Sequence, residues 1–171
     1  SLIIIIPVIL MAVTGIIYYT QLVSYDNDLT AEVKSGVTIR RNAVGIPQIE
    51  VSSEQDIYFA LGYLHAQDRL ALMEYYRAIA NGTVTELIGE KGKILDKLAR
   101  VIGFSRNARK LAEKLEKNRG KNPGNKPYDF IKAYTNGINL AKNEGLYTSI
   151  VGKEWGMLDV IKILLLREWS N

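Results

Sequence analysis

Residues 59–77, FALGYLHAQDRLALMEYYR, constrain the fold more than any other stretch of the sequence. The stretch contains no proline and is apolar over most of its circumference, which is typical of a helix buried on nearly all sides. Because a buried polar group without a partner costs about 1–3 kcal/mol, its polar side chains must find partners. We therefore predict a central helix that carries a structural polar network of His65, Gln67, Asp68, Arg69, Glu74 and Arg77.

Three members of this polar network are of a catalytic or metal-binding type. His65 and Asp68 share one face of the predicted helix, and Glu74 follows further along it. Two protein ligands do not make a metal site, and nothing in the stretch supplies a nucleophile beside a general acid or base. A structural role, with Arg69 and Arg77 pairing the acids, is the better interpretation. We predict no catalytic residue and no metal site in this chain.

Composition excludes several kinds of site. The 171 residues fit one domain with an appendage; they include no cysteine and one histidine, which excludes disulfides, thiolate metal sites and multi-histidine centres within the chain. The net charge is +4, and between Arg106 and Lys126 eight Lys or Arg face two Glu. Such a run can contact phosphates or anionic lipid. Because no aromatic residue lies among these cations, we favour a solvated helix face and expect no nucleic-acid partner.

The N-terminal stretch differs from the rest of the chain. Residues 1–25 carry no charged side chain, and residues 2–19 are almost wholly apolar. About 18 apolar residues can cross a hydrocarbon core about 30 Å thick, and the run exceeds the apolar region of an ordinary signal peptide. We predict a signal anchor or signal peptide at 1–25, membrane contact through 2–23 and a linker at 26–36. The remainder is then membrane-anchored or exported; a buried core helix is the alternative.

The remaining pattern predicts a mainly α fold with a short β hairpin at its start. Residues 37–41 and 46–51 are expected to form strands on either side of a turn. The central helix is expected to begin with a capping box of Ser52 and Gln55 and to end near Ala80, before a glycine C-cap. Further helices are predicted at residues 84–88, 93–100, 105–117, 128–143 and 154–170.

Several segments, in order along the chain, resemble one protein family. VTIRRNAVGIPQI at residues 37–49 is similar to V-x-I-x-R-D-x-x-G-V-P-H-I, and FALGYLHAQDRL at 59–70 is close to F-A-x-G-Y-V-H-A-Q-D-R-L. On these segments, residues 37–171 resemble the α-subunit region of the penicillin acylase, or penicillin amidase, family. Shorter matches follow in the same order at residues 82–89, at Asp96, Arg100 and Gly103, at residues 133–139, and at Trp155 and Asp159.

This resemblance implies a fold and an activity. Members of the family are N-terminal-nucleophile hydrolases with a four-layer αββα sandwich, cut from a precursor into α and β chains. The serine that begins the β chain attacks the amide carbonyl, and its own α-amino group serves as the base. The chain would then be the α-subunit portion of an amidohydrolase for linear amide C–N bonds, with a small N-acyl amide as substrate and the β subunit as partner. The alternative is a truncated, non-catalytic protein with a binding or structural role at a membrane.

The resemblance also implies roles for residues near the end of the chain. Counting from Trp155, Glu168 and Trp169 fall nearest the family's acyl pocket and are expected to bind substrate. Ser170 and Asn171 match the first two residues of the family's β chain, but they end a predicted helix, so we do not expect them to be the nucleophile. The resemblance implies no cofactor in this chain, whereas the complete enzyme can hold calcium.

The sequence departs from the family pattern at Asn42, Gln48 and Met157, where the family has Asp, His and Pro. The resemblance assigns the polar network of the central helix to structure, where it would fix the helix against the β subunit. Replacing Asp68 by alanine is therefore expected to weaken folding or subunit assembly by several kcal/mol, because it would break a buried charged network.

Overall fold

The computed structural model describes residues 11, 31, 33–119, 121, 126–144 and 153–170. The described part is mainly α-helical with a short antiparallel hairpin at its start, as the sequence predicts. A 3₁₀ turn, Gly89–Gly92, lies between the second and third helices. The elements in chain order are β1 (Thr38–Arg41), β2 (Pro47–Glu50), α1 (Glu54–Asn81), α2 (Thr85–Ile88), α3 (Lys93–Ile102), α4 (Phe104–Asn118), α5 (Pro127–Glu144) and α6 (Met157–Ser170).

The predictions for the N-terminal part lie largely outside the described residues. This holds for the signal anchor at 1–25, the membrane contact at 2–23 and most of the linker at 26–36. Within the described ranges, no helix is both long enough and apolar enough to cross a membrane.

The hairpin is closed by the side chain of Asn42. Its Oδ1 accepts hydrogen bonds from the backbone N–H groups of Val44 and Ile46 at 3.1 and 2.9 Å. Gly45 completes the turn with φ of 82°, a conformation that costs glycine little. Asn and Asp both form such turns, so Asn42 can replace the Asp of the family pattern. The register pairs Thr38 with Glu50, Ile39 with Ile49, Arg40 with Gln48 and Arg41 with Pro47.

The start of α1 differs from the prediction, whereas its end agrees with it. The helix begins at Glu54, and its N-cap, Ser53, makes no side-chain capping bond, so the predicted capping box of Ser52 and Gln55 is wrong. At the other end, Gly82 adopts the left-handed conformation with φ of 69°, and its N–H donates to the last turn. Glycine is the residue that takes this position at least cost.

Asp56 replaces the predicted capping box as the organising group at the start of α1. Its Oδ1 accepts the backbone N–H of Lys34 at 3.0 Å, and its Oδ2 accepts the N–H and the hydroxyl of Ser35 at 2.9 and 2.8 Å. Burial of this carboxylate opposes its ionisation, but the hydrogen bonds from Lys34 and Ser35 hold the pKa of Asp56 below its usual value. The end of the linker is thereby fixed to the first turn of α1.

Helices α1 and α5 approach each other at two glycines. A Cβ on Gly62 would lie 2.0 Å from the carbonyl oxygen of Tyr134, and a Cβ on Gly137 would lie 2.0 Å from that of Phe59. No other residue allows the two backbones to come so close. The glycines of two family-like segments therefore set the distance between these helices. The core cluster beside this crossing contains Ala66, Leu70, Ile138, Trp155 and Val160.

The prediction that α1 is buried on nearly all sides is wrong. Leu72 is 47% exposed, Tyr76 43% and Tyr58 39%. The backbone also departs from helical geometry at Arg69, with φ of −145° and ψ of 26°. Periodicity shows which residues are apolar, but burial requires another element to cover them. In the described part, α5 and α6 pack against α1 and leave these three side chains partly uncovered.

A second carboxylate organises α2. Asp96 of α3 accepts hydrogen bonds from the N–H groups of Val84 and Thr85 at 2.6 and 3.1 Å and from the hydroxyl of Thr85. Burial opposes its ionisation, but the bonds from Thr85 and Val84 lower the pKa of Asp96. Arg100 donates to the carbonyl of Gly82 at 3.1 Å. The family-like residue Asp96 therefore holds the start of α2 against α3, and the family-like Arg100 holds the end of α1 there.

Candidate functional site

An apolar cleft lies between α1, α5 and α6. Its volume is about 340 Å³. The rings of Tyr58 and Phe130 stack across part of its wall, with centroids 4.4 Å apart. A cleft of this kind, with few polar groups among aromatic and aliphatic walls, is typical of a ligand or acyl-chain site. The residues that line it are Tyr58, Leu61, His65, Met73, Tyr76, Phe130, Ile131, Tyr134, Trp155, Val160, Ile163, Leu164 and Arg167.

His65 and Tyr134 form the polar pair of the apolar cleft. His65 Nδ1 lies 2.8 Å from the Tyr134 hydroxyl oxygen, and the imidazole tautomer sets which group donates. Partial burial lowers the pKa of His65, the charge of Arg69 lowers it further, and Asp68 opposes the change. Burial also raises the pKa of Tyr134. At neutral pH both groups are therefore uncharged, and the pair can hydrogen-bond to a polar group of a ligand.

The predicted polar network is divided into separate groups by the fold. One group joins the hairpin to α1: the Arg41 guanidinium donates to Gln67 Oε1 at 2.9 Å and to Asp68 Oδ1 at 2.7 Å. Gln67 Nε2 in turn lies 3.5 Å from the hydroxyl of Tyr63, which donates to Glu144 at 2.9 Å. The cationic partner of Asp68 is thus Arg41, which no local feature of the sequence identifies.

Tyr63 and Glu144, the last two groups in this chain of hydrogen bonds, both have raised pKa values. Burial, followed by the hydrogen bond to Glu144, raises the pKa of Tyr63. Burial also raises the pKa of Glu144, and the bond from Tyr63 partly offsets this. The Tyr63 proton is therefore held firmly, and the bond joins α1 to α5 rather than providing a general acid.

A second polar group surrounds the indole of Trp155. Its Nε1–H donates to Glu74 Oε1 at 2.8 Å, and the other oxygen of Glu74 lies 3.2 Å from Arg77 Nε. The Arg77 guanidinium also lies 5.1 Å from the centre of the Trp155 ring. The amide side chain of Asn139 bonds to both the N–H and the carbonyl of Trp155, at 2.8 and 2.9 Å. The family-like residues Asn139 and Trp155 thus fix the start of α6 against α1 and α5.

Glu168 and Trp169, predicted to bind substrate, lie at the end of α6 and are not among the residues lining the apolar cleft. Trp169 is 53% exposed and meets the ring of Phe104 edge to face, with centroids 6.3 Å apart. The α6 residues that line the apolar cleft include Leu164, about one turn earlier, and Arg167, which directly precedes Glu168. The prediction counted residues from Trp155 and carried no information about which side of α6 faces α1.

The structure also shows the contacts of Ser170 and Asp159, two residues that the family resemblance singled out. The Ser170 hydroxyl donates to the carbonyl of Arg167 at 2.9 Å, as expected for a residue that ends a helix. Asp159, the third residue of α6, accepts the N–H of Gly156 at 3.0 Å and so caps the start of the helix. Among the described residues, no three His, Asp or Glu side chains are arranged to hold a metal ion.

Comparison with known proteins gives consistent matches. A family model described as penicillin amidase matches residues 36–170. The chain is 36% identical over 122 residues to the penicillin acylase 2 proenzyme of Pseudomonas sp. strain SE83, a match that covers 71% of this chain and 14% of the relative. It is 40% identical over 103 residues to the acyl-homoserine lactone acylase QuiP of Pseudomonas fluorescens strain Pf-5, which covers 60% of this chain and 12% of the relative.

A solved structure shares the fold. Penicillin G acylase from Alcaligenes faecalis superposes with a TM-score of 0.61 at 19% identity, and the match covers 77% of this chain and 71% of that chain. At this identity the likeness concerns the fold alone. The chain spans only 14% and 12% of the two Pseudomonas relatives, so most of their length has no counterpart in it.

Proposed function

The chain belongs to the penicillin amidase family, and we propose that it is the α-subunit portion of an amidohydrolase that cleaves N-acyl amide bonds. The two Pseudomonas relatives are named as acylases, one for penicillin and one for acyl-homoserine lactones. Both names imply an acyl group joined to an amine of a small ring compound. The shared chemistry is therefore hydrolysis of a linear amide C–N bond, and the ring is the variable part.

The apolar cleft is the observation that carries this proposal. It is an aliphatic and aromatic cleft of about 340 Å³ whose polar lining includes the uncharged pair of His65 and Tyr134 and the cation Arg167. Such a surface suits binding and positioning of an acyl chain better than bond cleavage, which needs a nucleophile beside a base. The proposal assigns the nucleophile to a serine at the start of a β chain and assigns binding to this portion.

Glu168 and Trp169 are proposed to extend the acyl-binding surface beyond the apolar cleft. They follow Leu164 and Arg167 on α6, and Trp169 is 53% exposed. An exposed indole at the end of a helix that borders the apolar cleft is available to a second subunit or to an acyl chain. In this arrangement the α6 residues at the cleft contact one part of the acyl group and Trp169 contacts another.

The proposal is tested with the full-length gene product that contains this sequence. It is expressed, allowed to process, and assayed with N-acyl amides that carry phenylacetyl or long-chain acyl groups; residues 1–171 alone are the control. We expect hydrolysis by the processed product and none by the control. We also expect Trp169→Ala to change the ratio of kcat/KM between the two acyl groups by about tenfold or more, the range for altered apolar pocket contacts.

A matched variant keeps this test specific. Leu87→Ala removes another exposed apolar side chain, 57% exposed on α2 and absent from the apolar cleft lining, and should leave the ratio unchanged. A full-length product that folds but hydrolyses no N-acyl amide would contradict the proposal. That result would favour the alternative, a non-catalytic protein with a binding or structural role.

A further inference from the structure

Helix α4 presents a basic face whose charges are not neutralised by the rest of the described chain. The side of α4 opposite to it buries Phe104 and Ala108. Two glutamates on α4, Glu113 and Glu116, leave a net charge of +3 over a helix about 22 Å long. Within the described ranges, none of the five cations forms an ion pair with a carboxylate. The basic face consists of Arg106, Arg109, Lys110, Lys114 and Lys117.

Ion pairs connect the end of α4 to the start of α1. Just beyond α4, Arg119 pairs with Asp129 in the first turn of α5, with an N–O distance of 3.0 Å. Lys126, immediately before α5, pairs with Glu54 at the first residue of α1 at 2.8 Å. The C-terminal end of the basic face and the N-terminal ends of α5 and α1 therefore lie at the same end of the helical unit.

Lys34 and Ser35, which follow the N-terminal apolar stretch in the sequence, are held at this same end. Asp56 in the first turn of α1 holds Lys34 and Ser35 by three hydrogen bonds. Residues 1–25 carry no charge. The nine residues from Tyr25 to Lys34 can span at most about 32 Å. A membrane entered by the N-terminal segment would thus lie within reach of the basic face.

We propose that the basic face of α4 binds the anionic phosphate headgroups of the membrane that the N-terminal segment enters. Lysine and arginine near an anionic bilayer each strengthen binding by about fivefold, and the basic face keeps a net charge of +3 after Glu113 and Glu116 of the same helix are counted. The basic face offers no aromatic side chain for base stacking, because the one aromatic residue of α4, Phe104, is 3% exposed. The chemistry therefore favours a lipid surface over a nucleic acid. This proposal is independent of amide hydrolysis.

The absence of cysteine from the sequence makes a direct test practical. Asn118→Cys places a dye at the end of the basic face without changing its charge. Ile94→Cys provides a remote position, because Ile94 is 79% exposed and lies on α3, near the opposite end of an α1 helix about 42 Å long. The full chain is reconstituted in vesicles of phosphatidylcholine, alone or mixed equally with phosphatidylglycerol. Energy transfer to acceptor dyes on the lipid headgroups is then measured.

We expect efficient transfer from position 118 in the anionic vesicles and weaker transfer from position 94. Transfer from position 118 should fall in neutral vesicles and at about 1 M salt, where the screening length is about 3 Å. Lys114→Gln with Lys117→Gln should weaken docking about 25-fold, by about fivefold for each lysine. The matched pair Lys91→Gln with Lys97→Gln removes two exposed lysines elsewhere and should have no such effect.

Three results would overturn the proposal. The first is transfer from position 118 that is the same in neutral and anionic vesicles while the chain stays in the bilayer. The second is an equal loss of transfer for the two lysine pairs, which would reflect net charge rather than this face. The third is salt-sensitive binding of a duplex oligonucleotide by the chain in detergent, abolished by Lys114→Gln with Lys117→Gln, combined with no dependence on lipid charge.

Discussion

Replacing Gly137 by alanine tests the close approach of α1 and α5. The new Cβ would lie 2.0 Å from the carbonyl oxygen of Phe59, whereas ordinary contacts begin at 3.4 Å, so the backbones must separate by up to 1.4 Å. A gap of about 0.5–1 Å already removes a quarter to a half of the dispersion energy of a contact. Overpacking costs about 1–3 kcal/mol where side chains can move, and a backbone atom cannot move alone.

The higher helix propensity of alanine partly offsets the destabilisation caused by the clash. Alanine stabilises a helix by about 1 kcal/mol relative to glycine. With the clash at about 3 kcal/mol or more, we expect Gly137→Ala to lower the free energy of unfolding by at least about 2 kcal/mol. Equilibrium urea unfolding, followed by far-ultraviolet circular dichroism of the purified chain, measures this difference.

Gly36→Ala is the matched control for this measurement. A Cβ at Gly36 would meet no atom within 4 Å, so the free energy of unfolding should change by no more than about 0.5 kcal/mol. Gly62→Ala, which strikes the carbonyl oxygen of Tyr134 at 2.0 Å, should behave like Gly137→Ala. A Gly137→Ala variant as stable as the parent, or more stable because of the higher helix propensity of alanine, would refute the close crossing of α1 and α5.

Two further predictions concern carboxylates at the ends of the hydrogen-bonded groups. Asp56→Asn should destabilise the chain by about 1.5–3 kcal/mol at neutral pH, the contribution of hydrogen bonds to a charged group. Because the folded state lowers the pKa of Asp56, this difference is present above the ordinary carboxyl pKa of about 3.9 and should shrink as pH falls below it, which urea unfolding across pH checks. Asp68→Ala should cost only about 1 kcal/mol, because the Asp68 side chain is 37% exposed. A double-mutant cycle with Arg41→Ala checks this, and a coupling of several kcal/mol would restore the buried network predicted from sequence.

The secondary structure could be read from the sequence because its signals are local. Gly82 ends α1 and Gly45 shapes the hairpin turn with positive φ, as expected where the chain must adopt that conformation. The predicted capping box is wrong because contacts with distant residues determine how the chain enters α1. Ser52 and Gln55 have suitable spacing, but Asp56 binds Lys34 and Ser35, more than twenty residues earlier, and these contacts fix how the chain enters α1.

The candidate site was less accessible to sequence reasoning. Asp68 pairs with Arg41 across 27 positions, and Glu74 receives the indole N–H of Trp155 across 81 positions. The types of these residues indicated that they needed partners, but not which partners. The apolar cleft also depends on contacts between distant segments, because α1, α5 and α6 each supply part of its wall.

The family, the helical character and the hairpin follow from the sequence alone, because ordered motifs, helical periodicity and turn residues act over a few neighbouring positions. Three features emerge only in the folded chain: the division of the polar side chains of α1 into groups, the close approach of α1 and α5 at Gly62 and Gly137, and the position of the apolar cleft relative to Glu168 and Trp169. These features depend on which distant segments pack together. Such packing follows from the sum of many contacts across the chain, and no local pattern specifies that sum.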